Sequence, residues 1–242
     1  MTNRLQNCVA VVTGAGSGIG RAIALELGRQ GAVPWLVGRD TRKLETVREI
    51  IQAPAAMVHR TDLLKDRDIE MLVEAISHRH DRVDILVHAA GAIAFGPIEN
   101  APVDDLDRQF HINVRAPYLL TQRLFPLLRK SQGQVVFINS SVGLRGKEGV
   151  GAYSATKHAL KGLADTLRLE TNASGIRVLS VFPGNTATPM QEAVQEHTGQ
   201  RMELGYLLQP EDVAAVIVHS LSLPRTAEVT DIHIRPFRKA PA

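Results

Sequence analysis

Short apolar runs alternate with amphipathic stretches along the whole chain. Val9 to Thr13 reads as a buried strand, followed by glycines and then a helix from about Arg21 to Gln30 that Gly31 stops. Trp35 to Gly38 predicts a second strand. Asp40 is placed to cap a helix whose Leu44, Val47, Ile50 and Ile51 fall on one stripe at three-and-four spacing. Ala55 to His59 predicts strand three, and Ile69, Leu72, Val73 and Ile76 mark a third helix. Val83 to Ala89 reads as a strand covered on both faces, because it is apolar almost throughout. A long helical stretch from about Val103 to Arg129 contains Pro117 and Pro126, which are expected to kink or divide it. Val135 to Asn139, a helix over Ala152 to Thr171, Ile176 to Phe182, a helix begun by Pro210, and Val229 to Ile234 complete the series. Such alternation predicts an α/β fold, a doubly wound parallel sheet of about seven strands with helices on both faces.

Composition adds little to this and removes much. The 242 residues show no repeat, linker or low-complexity tract, so 1–242 is expected to form a single domain. A composition 44% hydrophobic and 22% charged excludes collagenous, disordered and coiled-coil chains. Cys8 is the single cysteine, so no intrachain disulfide can form; a reducing compartment, the cytoplasm, is the expected location. The apolar run Val9 to Val12 is too short for an export signal, and no window approaches the ~18 apolar residues of a membrane span. The net charge of +3 and pI near 9.2 come from basic residues scattered among 25 acidic ones. Neither nucleic acid nor a membrane is therefore an expected partner.

Four features carry chemistry. The first strand runs into Thr13-Gly14-Ala15-Gly16-Ser17-Gly18-Ile19-Gly20 just before a helix, where backbone N–H groups and the helix dipole can receive a pyrophosphate. Tyr153 and Lys157 stand four apart at the start of a helix and share a face; a neighbouring ammonium would lower the phenol from its ordinary pKa near ~10. Ser140 lies at the carboxyl end of strand five, where doubly wound folds place their ligands, with Ser141 as its competitor. Asn113 sits inside the long helix, where asparagine is unfavourable unless it faces solvent or has a buried polar partner.

Together these residues resemble the short-chain dehydrogenase/reductase family, and the resemblance covers essentially the whole chain. Its marks are the T-G-x-x-x-G-x-G turn at 13–20, Asp62 after strand three, Asn113, Ser140, Tyr153 with Lys157, and Pro183-Gly184 followed by Thr188. The resemblance implies a Rossmann-type fold and an oxidoreductase that interconverts a small carbonyl compound and its alcohol. Tyr153 would exchange the proton, Ser140 would hold the substrate oxygen, and Lys157 would bond the nicotinamide ribose and lower the tyrosine pKa. Asn113 would hold a water in a proton relay. Gly14, Ser17, Gly18, Ile19, Asp62, Leu63, Ala89, Ala90, Gly91, Pro183, Gly184, Thr186 and Thr188 would line the cofactor. A homotetramer or homodimer is implied, packed through the helices at 103–129 and 152–171. The chain departs from the pattern at His88-Ala89-Ala90-Gly91, where the family usually has N-N-A-G. Two strand-tying amides are thereby lost; the backbone path is expected to survive, with His88 structural.

Cofactor choice is read at the end of strand two, where Gly38 is followed by Arg39. A guanidinium grips a phosphate with two parallel N–H bonds, so NADP(H) is favoured. Asp40 leaves NAD(H) possible unless it caps the next helix. The segment from about 187 to 208 is long enough to act as a lid and carries Met190, Met202, Leu204 and Tyr206. With Phe95, Leu144 and Val150, the resemblance implies an apolar pocket. The rival reading is a dinucleotide-binding regulator without turnover on the same scaffold.

Overall fold

The computed structural model describes residues 4–53, 55–199 and 203–238. Seven parallel strands form one sheet in the order β3-β2-β1-β4-β5-β6-β7. They are β1 (Val9–Thr13), β2 (Val33–Gly38), β3 (Met57–Arg60), β4 (Ile85–His88), β5 (Gln134–Ile138), β6 (Arg177–Pro183) and β7 (Asp231–Ile234). The alternation of side chains along each strand builds two cores. Ala10, Val12, Leu36, Ile85, Val87, Val136, Ile138, Leu179 and Val181 face one way. There they meet α1 (Gly18–Arg29), α2 (Thr41–Ile51) and α8 (Pro210–Leu221). Val9, Val11, Trp35, Val37, Leu86, Val135, Phe137 and Val178 face α3 (Asp66–Arg79), α5 (Ala116–Ser131) and α6 (Gly151–Thr171). Strands buried on both faces are why the sequence shows continuous apolar runs rather than alternation.

The order of strands reverses between β1 and β4, and this is where a doubly wound sheet opens a crevice at its carboxyl edge. Gly14 makes the crevice possible: its φ is +69°, and a Cβ there would lie 2.8 Å from the Ala90 nitrogen. A Cβ on Gly20 would lie 2.4 Å from the Gly14 carbonyl oxygen, so only glycine lets α1 start this close to the turn.

Several boundaries differ from expectation. The first helix begins at Gly18, three residues early, because the glycine turn itself forms its first turn. Strand three runs Met57–Arg60, strand four is shortened to Ile85–His88 and strand seven to Asp231–Ile234, since only those residues find ladder partners. The long helix divides just before Pro117, while Pro126 lies inside a continuous helix. It runs as α4 (Val103–Phe110), a π-helical turn over His111–Arg115, and α5, which opens with Pro117 in its first turn and passes through Pro126. The Ala116 N–H closes the π turn on the His111 carbonyl, and Pro117, which has no N–H to donate, follows in the first turn of α5. Within the expected lid, Pro189–Thr198 forms a ten-residue helix, α7, capped by the Thr188 hydroxyl on the Gln191 N–H. Met202 lies outside the described residues. No helix of the described residues is long and apolar enough to cross a membrane.

The departure in strand four leaves the backbone path intact. Thr13 Oγ1 donates to the Val87 carbonyl at 3.2 Å and accepts the Ala89 and Ala90 N–H groups at 3.1 and 3.2 Å. One hydroxyl thus ties β4 to β1. His88 is buried, bonds Thr121 Oγ1 at 2.8 Å and stacks on Phe137 with ring centroids 5.0 Å apart.

Candidate active site

A cavity of about 1360 Å³ runs along the carboxyl edge of the sheet. This exceeds the ~300–1,000 Å³ of ordinary small-molecule sites and leaves room for a dinucleotide and a second reactant. One end is the glycine turn. Gly14, Ser17, Gly18 and Ile19 line it, and the N-terminus of α1 carries no acidic side chain in its first turn and no side-chain cap from Ser17. Those N–H groups and the helix dipole suit an anion. Arg39 lies beyond, exposed, with Arg42 and Lys43 on the same wall. Asp40 lines the same wall, and one oxygen of its carboxylate accepts the Lys43 N–H at 3.2 Å as the cap of α2. Asp62, Leu63 and Ala89 to Gly91 form the middle of the cavity. A backbone cradle that tolerates no Cβ, an uncapped helix N-terminus and a free guanidinium fit a phosphorylated dinucleotide.

The other end holds the titratable groups. Tyr153 and Lys157 occupy successive turns of α6, both buried, with the Lys157 Nζ 5.6 Å from the phenol ring centroid. Lys157 donates to the Ile138 carbonyl at 2.8 Å, and burial pulls its pKa down to about 8. The phenol does not follow the expectation of a lowered pKa. Burial pushes Tyr153 up to about 12, with a hydrogen bond to Ser140 pulling weakly the other way. The lysine points to a carbonyl rather than the phenolic oxygen, so desolvation wins. The Tyr153 hydroxyl also meets the Met190 sulfur of α7 at 3.9 Å.

Ser140 follows β5 and begins a 3₁₀ turn, its hydroxyl accepting the Val142 N–H at 3.4 Å. It is aimed by Asn139, which the sequence reading passed over. Asn139 is buried, accepts the Ser140 N–H at 2.9 Å and donates to the Lys157 carbonyl at 3.1 Å, so it locks β5 to α6. The available signal was an asparagine at the end of an otherwise apolar strand. Asn113 stands behind the cavity wall instead of on it. From the π turn its side chain accepts the Ala92 N–H at 2.8 Å and donates to the Ala92 carbonyl at 2.9 Å and Thr156 Oγ1 at 3.0 Å. Thr156, also missed, donates onward to the Tyr153 carbonyl at 2.8 Å.

Pro183, Gly184, Thr186 and Thr188 complete the wall, with the Thr186 hydroxyl donating to the Gly184 carbonyl at 2.9 Å. Phe95, Val150 and Met190 also line the cavity. Leu144 does not; it is 41% exposed. Phe95 stacks on His197 of α7 at 4.5 Å between centroids, fastening that helix over the opening.

Comparison with known proteins agrees with this geometry. The short chain dehydrogenase family model matches residues 8–199. Glycine betaine reductase ATRR of Emericella nidulans is 36% identical over 96% of this chain, which spans 19% of that protein's length. An uncharacterized oxidoreductase of Staphylococcus epidermidis is 32% identical, with 96% of this chain and 99% of that one covered. Among solved structures, the alcohol dehydrogenase of Thermococcus sibiricus complexed with 5-hydroxy-NADP superposes with a TM-score of 0.87 at 26% identity, covering 97% and 99% of the two chains. The 3-ketoacyl-(acyl-carrier-protein) reductase of Brucella melitensis complexed with NADH gives 0.86 at 27% identity, covering 98% and 100%.

Proposed function

The chain belongs to the short chain dehydrogenase family of NAD(P)-dependent oxidoreductases, and from that premise we propose that it interconverts a small ketone or aldehyde and the corresponding alcohol, with NADP(H) preferred and Tyr153 as general acid and base. The observation that carries this reading is a buried Tyr153, one helical turn from Lys157, lining with Ser140 the same cavity as the glycine turn. With its pyrophosphate at that turn, a bound dinucleotide would supply or accept the hydride through its nicotinamide at the Tyr153 end.

In the reductive direction Ser140 fixes the carbonyl oxygen and Tyr153 gives it a proton. A phenol held near 12 is protonated at neutral pH, as an acid must be. In the oxidative direction the same phenol has to lose its proton. Lys157, its ammonium 5.6 Å from the phenol ring centroid, is the cation placed to favour the phenolate that forms in that step. Asn113 would anchor the relay water. Pro117, four residues on, has no N–H to give the Asn113 carbonyl its helical bond. The preference for NADP(H) rests on free Arg39 and engaged Asp40, and the Thermococcus sibiricus neighbour carries an NADP derivative. The apolar walls of Phe95, Val150 and Met190 favour a small or medium hydrophobic substrate. Assembly into a dimer or tetramer is part of the same reading, supported by Val103, Phe110 and Tyr118, apolar yet exposed on α4 and α5.

The test is oxidation of NADPH against a panel of aldehydes and ketones, with NADH in parallel. Tyr153→Phe is expected to cut turnover by about a hundredfold or more with cofactor affinity nearly unchanged. Arg39→Ala is expected to shift the NADPH to NADH affinity ratio toward NADH by about tenfold. Turnover retained in the first variant overturns the assignment of the acid, and an unmoved ratio in the second overturns that of the discriminator.

A further inference from the structure

The sheet has a second opening at its other end. Val9, Ile85, Gln134 and Arg177 begin β1, β4, β5 and β6 and mark this amino edge. It lies a strand length, about 15–20 Å, from the Tyr153 end. A cavity of about 320 Å³ sits here, walled by Arg4, Arg177 and Arg225 against a single carboxylate, Asp84. That carboxylate is already engaged: it accepts the Val9 N–H at 2.8 Å, and both its oxygens meet Arg82 Nε at 3.2 Å.

The three arginines are not used up in the same way. Arg177 spends its terminal nitrogens on carbonyls after α8, among them Ala227 at 2.7 Å and Pro224 at 3.2 Å, while its Nε is buried with no hydrogen-bond partner. Burial, then the neighbouring Arg225 cation, pulls the Arg177 pKa below its ordinary value, with Arg4 adding to the effect and Glu228 opposing it. Arg225 reaches the Gln132 and Gly175 carbonyls with one nitrogen, leaving its other N–H donors unspent. The Arg4 side chain has no hydrogen-bond partner among the described residues. Like charges gathered round one hollow with spare donors cost free energy unless an anion completes them.

We propose that this cavity is an oxyanion site, taking a small multivalent phosphate or dicarboxylate between Arg4, Arg177 and Arg225. Guanidinium groups pair with both chemistries in bidentate fashion, and the volume admits a diphosphate or a three-carbon diacid. The site is separate from the cofactor cavity and shares no lining residue with it.

Cys8, the single cysteine, lines the same cavity and supplies the readout. The full-length protein, saturated with NADPH, is titrated with pyrophosphate in one arm and malonate in the other at constant ionic strength. Binding is followed by calorimetry and by the rate at which neutral N-ethylmaleimide labels Cys8. One saturable site that slows labelling is expected, in one arm or both, and the stronger arm identifies the ligand as phosphoryl or carboxylate. Arg4→Gln and Arg225→Gln, both at exposed side chains, are each expected to weaken binding by about tenfold or more. Thermal unfolding of each variant establishes that it is folded. No saturable protection in either arm, or protection that survives both substitutions in folded protein, overturns the proposal.

Discussion

At the residue scale the site is governed by desolvation. Lys157 is a cation held in a dry wall by one carbonyl, and its pKa near 8 in the folded chain compares with 10.5 when exposed. Below pH 8 both states carry the proton and the folded state bears the full cost of the buried charge. Between pH 8 and 10.5 the unfolded chain binds more protons than the folded one, so this group's contribution to stability rises with pH across that window. The shift corresponds to about 3 kcal/mol. Lys157→Met abolishes the titration. Urea unfolding should therefore show the stability advantage of the variant over the wild type shrinking by about 3 kcal/mol between pH 7 and pH 10.5. A difference that does not vary with pH would show that the ammonium is solvated. Because the group is strained when charged, a cofactor hydroxyl that shares its protons gains a stronger bond than an exposed lysine would offer.

At the element scale the π turn at His111–Arg115 is the unusual joint, and Asn113 is the reason it is worth forming. Its amide makes three bonds, two to Ala92 and one to Thr156, joining the loop after β4 to α6. Asn113→Ala leaves the Ala92 N–H and carbonyl without these partners, and a loss of about 2–4 kcal/mol in denaturant unfolding is expected. A loss under about 1 kcal/mol would mean that packing alone holds the turn. The elements show what a sequence can and cannot reveal. Seven strands, their order along the chain and the glycine turn after the first of them were legible because buried parallel strands and glycine turns leave strong local signals. Asp40 as a cap was legible for the same reason. Pro117 marked where the long helix breaks, but the π form of the break was not legible, because it depends on a partner across the structure at Ala92, and Pro126 breaks nothing. Asn139 and Thr156 escaped because they act through hydrogen bonds to backbone brought close only by folding. The direction of the Tyr153 shift was misread because spacing on a helix places Lys157 nearby but does not show that it bonds the Ile138 carbonyl.

At the scale of the whole molecule, acid unfolding is expected to follow histidine before the carboxylates. The carboxylates with lowered pKa values, Glu26, Asp66 and Asp165, sit in exposed ion pairs whose worth is small. His88 differs: fully buried in the central strand, it is driven from 6.5 to about 3 by desolvation. Between those values the unfolded chain takes up a proton that the folded chain refuses, so stability is lost as pH falls from 6.5 toward 3. The loss approaches about 5 kcal/mol, a large share of the ~5–15 kcal/mol that holds a domain together. His59 and His80, both lowered by burial, push in the same direction. Their rings flank Trp35 at 6.4 and 5.8 Å, and Trp35 is the single tryptophan, so its fluorescence follows that face of the sheet. Acid unfolding should begin below about pH 6, before the carboxylates titrate. His88→Asn keeps an amide within reach of Thr121 and cannot take up a proton, so its acid midpoint by circular dichroism should fall by about one pH unit relative to wild type. Coincident acid transitions would place the limiting proton elsewhere. Because His88 immediately precedes Ala89 to Gly91, its protonation would also dismantle the cofactor crevice, and loss of fold and loss of NADPH binding should share one pH midpoint.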